Sequence, residues 1–411
     1  MAYKGDNSTI SLVVENNGFG KPPTAYTGGK MLQNNDGTFN ATRNALESEA
    51  RTPNAELAGV RLGNKNVSAT FPVELDPKNY SKLFESVFYG RFDDTGTAQV
   101  VAGGTVSAAK KYQLAVNMTA QKQTSLGAKI GNVYRLYGIS DAGVQHLEGV
   151  VVLIAKSSTQ LTFMHPDQKA ATISNTTTDI SVAPVNTLRP AKQLQSFNAE
   201  ETLFSEDGAS QSRFMTSGAI ASGVSIDLPS EGLIKGSFSF IGSEHIASKE
   251  YKKFDANLTN GSAAHTSVTP HEKYDPLVLQ DGAIISDETD TLCQWLSGTV
   301  NIENGAQTFF TGCSYAARGS FSGSFRVTVN AEVLFESEDD YIAFESETSN
   351  KMMLRLKDRT TNQCLVMYFP ALRKTSYTKN NGKGLVTASI VAQAVVEPEA
   401  INSMVMGQYE L

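Results

Sequence analysis

A mainly β fold is expected, built as two tandem sandwich or barrel modules, each with one short helix, plus a small β domain inserted into the first. Three observations predict it: period-two alternation of apolar residues in segment after segment, a strand, cap and helix pattern that occurs twice, and 33 glycines in 411 residues. A chain of this length exceeds the size at which one core stops growing, so several compact units are the natural expectation.

Between positions 67 and 75 every odd residue is apolar (Val67, Ala69, Phe71, Val73, Leu75) and the residues between are Ser68, Thr70, Pro72 and Glu74, which is the periodicity of a strand. Pro72 removes one ladder donor, so the strand is expected to lie at an edge there or to turn that position toward solvent. Asp76-Pro77 supplies a capping carboxylate and a residue preset for a helix start, and Tyr80, Leu83, Phe84, Val87 and Phe88 form one apolar stripe that Gly90 is placed to end.

The same grammar returns at 320–329, where Phe321, Gly323, Phe325, Val327 and Val329 alternate with polar residues, at an offset of 254 from the first strand. Ser337 then caps a second expected helix whose Tyr341 and Phe344 repeat the spacing of Tyr80 and Leu83 at an offset of 261. A second pair, GLIKGSFSF from Gly232 and GLVTASIVA from Gly384, matches at an offset of 152. The difference between the strand offsets makes the first copy 102 residues longer, which implies an inserted domain. Turn-rich stretches at 92–106 and 176–190 mark its seams, and alternation around Tyr112, Val133, Val150 and Leu161 gives it strands of its own.

The expected organisation is a first module at 1–100 and 191–247, the insert at 101–190, a connector at 248–291 with one short strand near 277–279, a second module at 292–397 and a C-terminal arm at 398–411. Residues 9–15 read as a further strand, and an arm of the C-terminal kind is expected to dock on a neighbour.

The formal charge is −7, from 42 acidic against 35 basic side chains, which disfavours a protein that grips nucleic acid through its phosphates. The start carries no apolar segment behind a basic patch, so no secretion signal is expected, and the longest apolar run, Val150 to Ala155, is far too short to span a bilayer. Cys293, Cys313 and Cys364 fit neither a disulfide framework nor a metal site and are expected as buried, reduced thiols.

Chemistry-bearing motifs are weak. Gly18-Phe19-Gly20-Lys21 lacks the spacing of a phosphate loop, and the five histidines have no metal-binding spacing. The acidic run 337–340 is explained by its place at a helix start, and no nucleophile elbow occurs. Trp295 is expected in the core or an interface. No enzyme, cofactor or metal is expected.

Residues 42–49 (TRNALESE), 59–68 (GVRLGNKNVS), 71–75 (FPVEL) and 80–90 resemble, in this order, the tail tube proteins of long-tailed, non-contractile bacteriophages. Residues 232–242, 310–313 and 319–325 are similar to that family's second half, so the resemblance covers about three quarters of the chain. It implies β-sandwich or barrel modules whose sheets join those of neighbours into a ring, with the helix on the outside, and rings stacked into the conduit for genome ejection. It implies a virion location, assembly in the host cytoplasm, and tape measure, tail tip and tail terminator proteins as partners, with double-stranded DNA passing unbound. Rings of this family present six modules, so a two-module chain is expected to close as a trimer with pseudo-sixfold symmetry, the alternative being a hexamer. The lumen is expected to be net negative.

The polar hairpin at 42–65 is the expected bridge between subunits or rings, with Arg43, Arg51 and Arg61 against Glu47, Glu49 and Glu56 setting register by charge. The alternative function is receptor binding by the inserted domain, which exposed aromatics there would favour. Hydrolysis at an unrecognised site is a third class, for which no nucleophile, base and oxyanion set is in view.

Overall fold

The computed structural model describes residues 3–33, 36–48, 59–93, 96–110, 112–137, 149–166, 176–207, 210–272, 275–286, 289–360, 363–382, 384–397 and 402–409. The fold is mainly β. The chain opens with β1 (Tyr3–Val14), β2 (Lys30–Leu32), β3 (Asn40–Glu47), the long β4 (Val60–Glu74) and α1 (Ser81–Phe88). Pro72 lies opposite Ser237 on one side, while β3 reaches along β4 only to Ser68, so the proline sits where β4 is an edge.

The helix starts later than Asp76-Pro77 suggests. The Asp76 carboxylate accepts the amides of Lys78 and Asn79, closing a turn first, and α1 begins at Ser81 without a side-chain cap. The left-handed residue that ends it is Tyr89, with φ 50°, not Gly90. Gly90 is needed for a different reason, since a Cβ there would come within 2.4 Å of the Arg189 carbonyl.

A closed six-stranded antiparallel barrel follows, formed by β5 (Gln99–Lys110), β6 (Gln113–Asn117), β7 (Val133–Tyr137), β8 (Gly149–Lys156), β9 (Gln160–Met164) and β10 (Thr176–Pro184), with α2 (Ala120–Ser125) between β6 and β7. The turn-rich stretches expected as seams therefore contain barrel strands β5 and β10. Leu114, Val116, Tyr134, Val151, Leu153 and Phe163 fill the barrel, while Tyr112, Val150, Val152 and Met164 point outward and pack with Met353, Val366 and Tyr368 of the main body. Tyr112, Tyr134 and Phe163 are buried, and no large aromatic of the barrel is exposed among the described residues, so the feature that would favour receptor binding is not found there.

Next come β11 (Asn186–Leu188), β12 (Phe197–Ser205), β13 (Gln211–Asp227), β14 (Lys235–Gly242), β15 (Glu244–Ala247) and the short α3 (Tyr251–Phe254), then β16 (Ala283–Ser286) and β17 (Thr289–Asp290). The strand expected near 277–279 is a single bridge, Val278 to Leu233, followed by a 3-10 turn. This region is tied down by polar contacts: the buried Glu200 carboxylate accepts the Tyr251 hydroxyl and the amides of Ala264 and His265.

The last part holds β18 (Trp295–Glu303), β19 (Gln307–Phe309), β20 (Gly319–Phe321), β21 (Arg326–Leu334), α4 (Asp339–Glu345), β22 (Ser349–Lys357), β23 (Cys364–Asn380), β24 (Thr387–Ala394) and β25 (Val405–Tyr409). Trp295 is core, its indole N–H donating to the Leu228 carbonyl. Cys364 is buried, but Cys293 and Cys313 are exposed, contrary to expectation. The described end of the C-terminal arm docks on its own chain, where β25 pairs with β23 and β11.

One pairing scheme occurs twice. β12, β13 and β14 have 9, 17 and 8 residues, as do β22, β23 and β24, and a bulge falls between Ala221 and Gly223 in one set and between Lys374 and Ser376 in the other. β14 lies against β4 as β24 lies against β21, with Gly236 opposite Val73 and Ala388 opposite Val333. These registers keep the offset of 152 for the late strands but make it 260 for the early ones, so the offset of 254 is wrong. The alternation at 320–329 is not one strand either: residues 322–325 are irregular, because Gly323 presses against Gly305, where a Cβ would meet the Gly305 carbonyl at 2.4 Å.

Candidate assembly interface

Strand β13 changes neighbours along its length. Its first half pairs with β12 and β15, and its second half pairs with β14 on one side and β18 on the other. The β13–β18 ladder joins the two halves of the chain, with Gly223 opposite Glu303, Ser225 opposite Asn301 and Asp227 opposite Thr299. Val224, Ile226, Val300 and Ile302 lie buried beneath it. The result is one sheet in the order β3, β4, β14, β13, β18, β21, β24, β23.

Both ends of that run are open among the described residues. β3 pairs only with β4, and residues 374–380 of β23 have β24 on one side only. Such rows of unpaired backbone donors and acceptors are templates for another strand.

The sequence-predicted contact residues cluster at the first open end, in part. The Arg43 guanidinium donates to the Gly63 carbonyl at 2.8 Å and the Leu62 carbonyl at 3.2 Å and lies 4.5 Å from the Tyr315 ring centroid. Glu47 and Arg61 are exposed on the β3–β4 ribbon but in different ladder positions, Glu47 opposite Val60 and Arg61 opposite Leu46, and no ion pair joins these three among the described residues. Glu49, Arg51 and Glu56 lie outside the described residues. The ribbon also exposes Leu46, Val60 and Leu62, which the reading by charge passed over. A two-stranded ribbon has no core to cover such side chains.

At the other open end stands α4. Helix α1 is sealed: Tyr80 is 2 % exposed, Leu83, Phe84, Val87 and Phe88 are buried, and the Asn304 amide donates to the Ser86 and Val87 carbonyls at its C-terminal end. α4, at the equivalent place, leaves Tyr341 42 % and Ile342 55 % exposed. The Tyr341 hydroxyl donates to Glu345 at 2.6 Å, which raises the phenol's pKa, and Lys374 pairs with Asp340. Exposed carboxylates surround this helix at Glu338, Asp339, Glu345 and Glu347. The signal for α4 was in the sequence as its match to α1; only the structure shows that its apolar side is uncovered.

The sheet's two faces differ in chemistry. One carries Val73, Phe71, Phe238 and Val329 into the core; the other presents Ser68, Thr70, Ser225, Ser239, Asn301 and Thr328. On that polar face of β4, β14, β13, β18 and β21, Glu74, Asp227, Glu303 and Glu332 outnumber Lys235 and Arg326. No set of three or more His, Cys, Asp or Glu side chains is arranged to hold a metal among the described residues, and no helix there is long and apolar enough to cross a membrane.

A family model described as phage tail tube protein matches residues 5–394. No curated protein matches the chain.

Proposed function

The chain belongs to the phage tail tube protein family, and from that premise we propose that it is a structural virion protein whose copies join sheet edge to sheet edge into rings that stack as the conduit for genome ejection. The observation that carries this reading is the pair of open edges at opposite ends of one sheet, each next to side chains left uncovered in the single chain. Pairing across copies removes both edges, and a closed ring leaves none.

The two like halves are read as two tandem tube modules, with the barrel inserted into the first and the β3–β4 ribbon, including Arg43, Glu47 and Arg61, as the contact to neighbouring subunits or rings. Three copies then supply six modules and close a trimeric ring with pseudo-sixfold symmetry. The polar face lines the lumen. Its hydroxyl and amide groups, with carboxylates in excess, offer few cations to phosphates, so double-stranded DNA slides past without a grip. Tape measure, tail tip and tail terminator proteins are the partners of such a tube, assembled in the host cytoplasm and carried in the virion tail.

Negative-stain microscopy of the purified protein tests the reading. Rings or tubes are expected, with three chains per ring; dispersed monomers under all assembly conditions would overturn it, and six chains per ring would overturn the trimer.

A further inference from the structure

We propose that the open edge of β23 takes β3 of the next copy in the register that joins β13 to β18 within the chain, so that Ser376 stands opposite Thr42, Tyr377 opposite Ala41 and Thr378 opposite Asn40 of that copy. This rests on the ring reading above and adds to it the identity of the two edges and their alignment.

The register comes from the internal junction. The bulges and the pairing with β14 and β24 place Gly223 and Ser376 at equivalent positions, 153 residues apart. β18 stands to β21 as β3 stands to β4: Asn301 lies opposite Thr328, and Asn40 opposite Ser68. With Ser68 equivalent to Thr328, β18 maps onto β3 at an offset of 261, so Glu303 becomes Thr42 and Ile302 becomes Ala41. Applying both offsets to the pair of Gly223 and Glu303 gives Ser376 and Thr42.

Charge complementarity supports the same alignment. Asn304 and Phe325 of the second half close the end of α1, Asn304 by hydrogen bonds to Ser86 and Val87 and Phe325 by a ring contact of 5.2 Å to Phe88. Their equivalents on the open side are Arg43 and Lys65, both basic; Lys65 already donates to the His245 carbonyl and faces Glu244 in its own chain, so Arg43 carries the charge match. The end of α4 they approach carries Glu345 and Glu347, and a helix C-terminus favours cations in any case. Arg43 uses two of its five N–H donors inside its own chain and so has three for the neighbour.

An edge strand with lysines and a bulge is also how proteins keep an edge unpaired. Lys374 and Lys379 and the bulge of β23 fit that description, but the equivalent bulge in β13 does not prevent its ladder with β18. The copy is not perfect. A Cβ at Gly223 would come 2.9 Å from the Ile302 carbonyl, and Ser376 has that Cβ, so the junction between copies opens by a few tenths of an ångström there.

The test uses the full chain with Cys293→Ser and Cys313→Ser, so that buried Cys364 is the remaining native thiol. Asn40→Cys and Thr378→Cys are added together; both sites are exposed, and opposite residues of an antiparallel pair lie within disulfide reach. Mild oxidation of assembled protein is expected to give covalent multimers ending at a closed ring, at least tenfold more than the shifted control Thr42→Cys with Thr378→Cys. If the parent forms rings but the shifted pair links as well or better, or neither pair links, the register is wrong while the tube reading stands. If the parent forms no rings under any condition, both fall.

Discussion

Helices α1 and α4 occupy the same place on the same strand pairing, yet one is sealed and the other open. α1 has Phe84, Val87 and Phe88 under cover from residues 189–196 and from the second half, whereas α4 shows Tyr341 and Ile342 to solvent. The stripe that a sequence displays says which side of a helix wants cover; it does not say which chain provides it. For α1 the cover is intramolecular; for α4, on the proposed ring, the next copy supplies it.

Substitutions that treat the two helices alike test this contrast. Phe88→Ala is expected to destabilise the isolated chain by about 3–5 kcal/mol, the cost of emptying a packed site, measured as a lower denaturation midpoint. Gly223→Val puts a branched side chain against the Ile302 carbonyl at the internal junction, and a loss of about 1–3 kcal/mol is expected in the same assay; equal stability would mean that this ladder contributes little.

A pH scan probes buried groups outside the second half. Burial pushes the Glu15 carboxyl up to about 7, against hydrogen bonds from the Gly218 and Gly20 amides and the Ser196 hydroxyl. Its folded pKa is raised, so its contribution is full below the ordinary value of 4.5 and is lost as pH rises through 7, a change of about 1–3 kcal/mol. Burial pushes His265 the other way, down to about 4, so its contribution is full above 6.5 and is lost as pH falls toward 4. The Glu15 contribution to wild-type stability should therefore decline between about pH 4.5 and 7 and add no slope above that, and Glu15→Gln should remove this decline while leaving the His265 loss toward pH 4 in place; a profile unchanged between 4.5 and 7 would remove Glu15 as its source.

The smaller effects lie on the open side. Arg43→Glu should cost roughly 1 kcal/mol of association, seen as a several-fold rise in the concentration needed for rings, with Glu347→Arg restoring part of it. Ile342→Ala should shift the stability of the free chain by no more than about 0.5 kcal/mol, as for an exposed residue, yet weaken ring formation. A large loss in the free chain would mean that α4 is completed from within after all.

Much of the fold was legible because α1, β4 and the barrel strands each carry one clean period. The helix match at 261 was close to the structural offset of 260, but the strand match at 254 was not, and the reason is physical. Alternation has period two, so any even slip leaves the pattern intact, and Phe321 and Phe325 extended the apparent run through a break enforced by two glycines. A helical stripe repeats every 3.6 residues and tolerates no such slip. Of the proposed contact residues, Arg43 was suggested by the sequence through its polar hairpin. The β23 edge was not, since an unpaired backbone leaves no mark in side-chain pattern.

The barrel adds a last consequence. It fills the chain between α1 and β12, whereas α4 reaches β22 across only residues 346–348. On the proposed ring of three such chains, modules with and without a barrel would alternate, three bosses rather than six, so an observer of the intact tail would see threefold relief on a nearly sixfold plan.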